Sequence, residues 1–289
     1  MKGEKIPMII EKAYAKVNLF LNVLDKRKDG YHNLEMLNVK IDLFDTLEFK
    51  LIDCPETVII KSNDLFLSNQ ENVVIQVARY MCRTYDIKSG LEIKIDKRIP
   101  FGAGLGGNSA DSAAVIKGIN KLFELNLSQK EMQRIGLMYG ADIPYCLTDK
   151  AAIVTGIGEV IEEIDLDFSN YHLMLINPRE YISTKEVFEK ADKEKLEVFD
   201  FNEVRKFINE NDIDSLKEKL FNSLECIVEK NFSVISRFKQ TLVNELGDKG
   251  LVMTGSGSSF IKLIDKKKDF SRFINAFKGK YLIKINDIL

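Results

Sequence analysis

The sequence predicts two α+β domains, and three observations carry that reading. The chain has 289 residues, more than one ordinary core organises. Its first part is rich in alternating apolar segments broken by turn signals, the pattern of an antiparallel sheet. After about residue 165 the texture changes to charged amphipathic helices that return to strands near residue 250.

The elements follow in order. Residues 8–24 read as a strand, with alternation through Val17-Asn18-Leu19-Phe20-Leu21-Asn22-Val23. Asp29-Gly30 is a hairpin turn, because such turns need positive φ at their centre. Strands follow at 33–42, 46–52 and 57–62. Val73, Val74, Val77, Ala78 and Met81 recur at helical spacing, predicting a helix over 72–85. A strand at 91–96 leads into a glycine loop, and a helix runs from about Ser109 to Phe123. Ser128-Gln129-Lys130-Glu131 has capping-box spacing and starts a helix that ends near Gly140. Strands at 151–155 and 158–164 complete the first part. A strand at 171–176 precedes a second capping-box pattern, Ser183-Thr184-Lys185-Glu186, and long helices run to about Leu246. Strands at 250–254 and 259–264 flank Gly255-Ser256-Gly257, and a helix and a strand finish the chain.

Composition excludes several function classes. The net charge is −2, without the basic excess of a nucleic-acid binder. No apolar run reaches the length of a membrane helix. The start, MKGEKIPMIIEKAYAK, lacks the apolar core of a signal peptide, so the expected location is cytoplasmic. Cys54, Cys82, Cys146 and Cys226 are widely spaced and read as buried free thiols. With only His32 and His172 present, proton chemistry is expected to fall to carboxylates and lysines.

The segment 99-IPFGAGLGGNSADSAAVIKGIN-120 carries the chemistry. Gly102, Gly104, Gly106 and Gly107 lie between a strand and a helix whose first turns are thinned by Ala110, Ala113 and Ala114. A helix N-terminus offers unpaired N–H groups and partial positive charge, and glycines let backbone approach an anion without Cβ obstruction. The segment therefore reads as a phosphate cradle. It is not a P-loop, since no Gly-Lys-Ser/Thr occurs in the chain. It mimics a dinucleotide fingerprint at 102, 104 and 107, but the preceding strand is amphipathic rather than a buried parallel run. An oxidoreductase would also need an acidic ribose partner, and Glu124 follows the helix without a second strand.

Pro100-x3-Gly104-Leu105-Gly106, followed by the small-residue helix start, resembles the central motif of the GHMP kinases. Three more segments agree in family order. They are Ala15-Lys16-Val17-Asn18-Leu19-Phe20-Leu21 with Asp29-Gly30-Tyr31-His32, then Gly140-Ala141-Asp142-Ile143-Pro144, then Thr254-Gly255-Ser256-Gly257-Ser258-Ser259. The resemblance spans residues 15 to 259. It implies a two-domain GHMP kinase fold, with an N-terminal ATP-binding and catalytic domain over 1–165 and a C-terminal α/β-sandwich substrate domain over 166–289. The first segment is most similar to a member that phosphorylates the 2-hydroxyl of a cytidine diphosphate-linked methylerythritol, in the non-mevalonate route to isoprenoid precursors. ATP and Mg²⁺ are implied as cofactors, with a small-molecule substrate and a monomer or homodimer.

The same resemblance implies the roles. Asp142 is the candidate base and Lys16 its charged partner. Alone, Asp142 also suits a helix N-cap, and Lys16 a solvated strand charge. ATP is expected on Pro100, Phe101, Gly102, Ala103, Gly104, Leu105, Gly106, Gly107, Asn108, Ser109 and Ala110, with Asn72 and Lys97 on the adenosine side. Tyr31, His32 and Phe188 would hold cytosine, and Asn18 and Thr184 the erythritol-phosphate end. The family's usual Gly and Ser are replaced by Asn108 and Ala110; Asn suits positive φ, and Ala110 leaves the metal ligands unassigned. The alternatives are another GHMP kinase, acting on homoserine, mevalonate or a sugar, and an inactive nucleotide-binding relative.

Overall fold

The computed structural model describes residues 8–63 and 72–289. The N-terminal stretch read above as lacking a signal peptide lies in part, over 1–7, outside the described residues. The described chain forms two compact units, both discontinuous in sequence. One draws on residues 8–15, 43–63, 72–100 and 106–149; the other on Lys16–Asp42, Phe101–Leu105 and Lys150–Leu289. Two long strands, β1 (Ile9–Lys26) and β2 (His32–Ile52), contribute to both.

In the first unit, the second half of β2 pairs antiparallel with β4 (Gly90–Asp96), from Thr46 opposite Asp96 to Ile52 opposite Gly90. β3 (Val58–Ser62) lies parallel to β4. Helix α1 (Val73–Thr84) buries Val74, Ile75, Val77, Ala78 and Met81 and packs against α2 (Gly107–Leu122). A Cβ at Gly118 of α2 would run into the Phe49 ring of β2, so this helix seats directly on the sheet. α3 (Gln129–Leu137) carries the capping box read from Ser128 and Glu131 in both directions. The short α4 (Ile143–Cys146) follows, packed on α2 and α3.

In the second unit, Leu34–Asn38 of β2 pairs with β5 (Ala151–Gly156), and β5 with β6 (Val160–Ile164). β7 (Tyr171–Asn177) belongs to a separate four-stranded antiparallel sheet. In it, β9 (Leu251–Met253), β10 (Phe260–Asp265), β7 and β11 (Leu282–Asn286) are neighbours in that order. The helices are α5 (Thr184–Ala191), α6 (Phe201–Glu210), α7 (Ile213–Glu218), α8 (Glu225–Asn231), α9 (Ser233–Leu246) and α10 (Ser271–Phe277). Val204, Ile208, Leu216, Ile227, Ile235, Phe238 and Leu242 are their buried stripe.

Some elements differ from expectation. The strands expected at 33–42 and 46–52 are one, β2, which changes ladder partner from β5 to β4 instead of breaking. The long helices expected from the Ser183 capping box to about Leu246 are five shorter ones, α5 to α9, interrupted by a two-residue strand, β8 (Phe221–Asn222). β8 pairs parallel with Phe20 and Leu21 of β1, a long-range bond that local periodicity does not carry. At Ser183 only half of the capping box forms: Ser183 accepts from Glu186 N–H, while the Glu186 carboxylate turns to Lys190 at 3.5 Å. Of the cysteines, all free thiols, only Cys146 is buried; Cys54 and Cys226 are exposed and Cys82 is intermediate, because they fall on loops and helix flanks facing water.

Candidate functional site

The glycine segment divides between the units, Phe101–Leu105 in the second and Gly106 onward in the first. In the second unit it meets the other glycine-rich motif. Gly104 has φ +74°, and a Cβ there would run into Thr254 O and lie 3.0 Å from Gly257 O. Gly255 answers from the other side, its absent Cβ 2.9 Å from Gly104 O. Two turns thus press backbone on backbone, which only glycine at both positions allows. β1 joins them: Lys16 N donates to Leu105 O at 3.1 Å, and Asn18 N donates to Thr254 Oγ1 at 2.9 Å. Ala103 and Leu105 are buried, while Phe101 is exposed and stacks on Tyr181, ring centroids 5.8 Å apart.

Lys16 and Asn18 stand on the same face of β1, two residues apart. Lys16 Nζ donates to Asn18 Oδ1 at 3.0 Å, and Asn18 Nδ2 donates to Asn38 Oδ1 at 2.6 Å. All three side chains are buried, with Lys16 4% exposed, so the reading of Lys16 as a solvated strand charge does not hold.

In the first unit, Gly106 is the N-cap of α2 in left-handed conformation, φ 64° and ψ 26°, with no side-chain cap bond. The first-turn N–H groups, on Gly107, Asn108 and Ser109, precede the first intrahelical bond, from Ala110 N to Gly106 O. That is the geometry of a helix-terminus anion site. Gly107 is not left-handed; its missing Cβ would lie 3.2 Å from Ile99 Cγ2 and 3.5 Å from Lys97 Nζ. Asn108 sits in the right-handed first turn, so its supposed tolerance of positive φ is not called upon. Its carbonyl accepts from Ser112 Oγ at 2.8 Å, and Ala110 is buried against the core.

Asp142 occupies the N-cap position of α4 but with right-handed φ −82° and ψ −16°, and its side chain makes no capping bond. The side-chain capping role open to this residue is therefore not taken. Asn72 does have one: its Oδ1 caps α1 by accepting from Val74 N at 2.8 Å. Lys97 Nζ reaches two buried carboxylates, Asp45 and, at 2.6 Å, Asp111.

On the remaining face of the second unit, Tyr31 is exposed just beyond the Asp29-Gly30 turn, where Gly30 has φ 90°. His32 and Phe188 come together with ring centroids 5.3 Å apart. His32 Nε2 is 2.8 Å from Asp192 Oδ1, and Lys26 bonds the other oxygen. Both residues line a cavity of about 550 Å³ with Val23, Lys26, Ala191 and Val198. Lys26, then His32, and the bonds they make hold the Asp192 carboxyl below its usual range. Thr184 Oγ1 shares a 2.7 Å hydrogen bond with Ser256 Oγ, tying α5 to the glycine turn. Sequence reasoning named Ser256 only within the third motif and missed Asn38 and Asp192. Asn38, a polar residue in the apolar run of β2, was the one visible signal.

Among the described residues, no three His, Cys, Asp or Glu side chains gather as a metal site, and no helix is long and apolar enough to cross a membrane. Within the first unit, the unpaired N–H groups at the α2 terminus fit an anionic group such as a phosphate.

Residues 72–156 match the GHMP kinases N terminal domain, and residues 204–283 the GHMP kinases C terminal domain. A 4-diphosphocytidyl-2-C-methyl-D-erythritol kinase of Clostridium botulinum is 37% identical over 94% of this chain and 96% of its own. A crystal structure of 4-(cytidine 5'-diphospho)-2C-methyl-D-erythritol kinase superimposes with TM-score 0.78 at 24% identity, covering 97% of this chain and 99% of that one. A homoserine kinase from Cytophaga hutchinsonii gives 0.75 at 18% identity, over 100% of this chain and 96% of its own, so the fold alone does not select a substrate. With its glycine turns, its helix-terminus cradle and both domain matches in place, the chain belongs to the GHMP kinase family.

Proposed function

We propose that this kinase transfers the γ-phosphoryl group of ATP to the 2-hydroxyl of 4-diphosphocytidyl-2-C-methyl-D-erythritol, a step of the non-mevalonate route to isopentenyl diphosphate. The observation that carries this reading is 37% identity, along 94% of the chain, to a relative named for that activity. The juxtaposed His32 and Phe188 support it, since an imidazole and a phenyl ring suit a pyrimidine base better than homoserine or mevalonate.

In this reading the cradle from Pro100 to Ala110 holds the ATP phosphates, with Asn72 and Lys97 bordering the adenosine. Tyr31, His32 and Phe188 take the cytosine, and Asn18 and Thr184 the erythritol-phosphate end. Phosphoryl transfer asks for alignment and charge neutralisation rather than covalent catalysis. The 2-hydroxyl oxygen attacks the γ-phosphorus, its proton passes late to the Asp142 carboxylate, and ADP leaves. Lys16, the second catalytic residue of this reading, screens the phosphoryl oxygens. Mg²⁺, if bound with ATP, would supply charge neutralisation of the phosphates. The protein works in the cytoplasm, as a monomer or homodimer, with family domains divided near residue 165.

A substrate panel tests the assignment. ADP release is measured with the cytidine diphosphate substrate, homoserine, mevalonate and a hexose. Turnover confined to the first is expected; preference for any other would replace the proposal with that kinase.

A further inference from the structure

A three-charge cluster lies under the first turn of α2. Lys97 Nζ bonds Asp45 and Asp111 at once, with Asp45 and Asp111 fully buried and the lysine side chain 7% exposed. Asp45 is fully committed, because its other oxygen also accepts from the N–H groups of Arg98 and Ile99, the latter at 2.8 Å. Asp111 is not: its Oδ1 is buried with no hydrogen-bond partner. Asp111 stands one helical turn after Gly107, on the same face, and Gly107 is the residue whose absent Cβ would lie 3.5 Å from Lys97 Nζ.

Counting charges shows what the arrangement does. With both carboxylates ionised the cluster carries one net negative charge beneath a turn that is to receive polyphosphate. With a proton on Asp111 it is neutral, and a bare buried carboxylate oxygen no longer has to carry charge.

We propose that Asp45, Lys97 and Asp111 are positioning residues for the α2 phosphate cradle, and that nucleotide binding there is coupled to uptake of one proton by Asp111. This rests on the reading that ATP phosphates occupy the cradle. Burial pushes the Asp111 carboxyl up to about 7, Lys97 pulling it down and Asp45 pushing it up. Among the described residues, the charged groups facing it are Lys97, beyond β4, and Asp45, on β2. Added phosphate charge raises it further, so near neutral pH the bound state holds more protons than the free one, and affinity falls as pH rises.

The test is calorimetric titration of the intact protein with ATP and Mg²⁺ at about pH 8, where the nucleotide is itself ionised, in buffers of different ionisation enthalpy. Wild type should take up a measurable fraction of a proton. Its Kd should rise about fivefold to tenfold more steeply between pH 6.5 and 8.5 than that of Asp111→Asn, whose neutral amide mimics the protonated acid. Parallel pH profiles, or zero proton uptake by wild type, would overturn the proposal. The wild-type measurement decides the matter even if the variant does not fold. A wild-type protein that binds no nucleotide at any pH would overturn the phosphate-cradle reading and this proposal with it.

Discussion

Gly104 is the position where backbone geometry bears most directly on activity, and Gly104→Ala is the perturbation to make. Two costs add at that site. At φ +74° an alanine pays left-handed strain of about 1–2 kcal/mol. Its Cβ would also overlap Thr254 O and lie 3.0 Å from Gly257 O, and both neighbours are backbone, so a turn must shift rather than a rotamer. Strain plus displacement gives a loss of about 3–5 kcal/mol. For a chain of this size that lowers the melting temperature by about 5–8 °C. The shifted turn carries Leu105, whose carbonyl accepts from Lys16 N, and Thr254, which accepts from Asn18 N. A displacement of about 1 Å there should reduce turnover at least 100-fold. Two controls separate the terms. Gly30→Ala has the strain alone, φ +90° with nothing within 4 Å, and should lose about 1–2 kcal/mol. Gly107→Ala has a near contact without positive φ and gains helix propensity, so it should stay within about 1 kcal/mol of wild type. Thermal melts and ADP-release assays on the three variants provide the comparison. If Gly104→Ala melts with Gly30→Ala and keeps wild-type turnover, the packed-turn argument is wrong.

Phe188→Ala should raise KM for the cytidine-bearing substrate about 5- to 100-fold through lost stacking while leaving KM for ATP unchanged, as steady-state kinetics with each substrate varied will show. Asn38→Leu removes the oxygen acceptor of Asn18 Nδ2 in a fully buried setting and leaves it the weaker Met36 Sδ at 3.3 Å. Denaturant unfolding should report a loss of about 1–3 kcal/mol, and Asn18→Leu together with Asn38→Leu less than the sum of the single losses.

How much of this was legible beforehand depends on sequence separation. Local signals read true: the Ser128 capping box, the helix stripe from Val74 to Met81 and the Asp29-Gly30 turn all rest on bonds within a few residues. The glycine motifs were visible as compositional anomalies, yet not the reason for them. Gly104 is glycine because Thr254 lies against it, 150 residues further along the chain. The sequence reads β2 as two strands, 33–42 and 46–52; the gap holds Asp45, a buried carboxylate whose partners, Lys97, Arg98 and Ile99, come more than 50 residues later. β8 is two residues long, and no periodicity can be read from two residues. Asp142 was ambiguous between cap and base for a physical reason: the spacing suits a cap, and only its right-handed backbone removes that role.

The most direct measurement is ADP release with 4-diphosphocytidyl-2-C-methyl-D-erythritol, comparing wild type with Asp142→Asn, with ATP affinity measured in parallel. Substrate-dependent turnover by wild type, lowered about 100- to 10,000-fold in the variant at unchanged ATP affinity, is the result the account predicts. Equal turnover in both proteins would remove Asp142 from the chemistry. No turnover by wild type with ATP still bound would contradict the substrate itself.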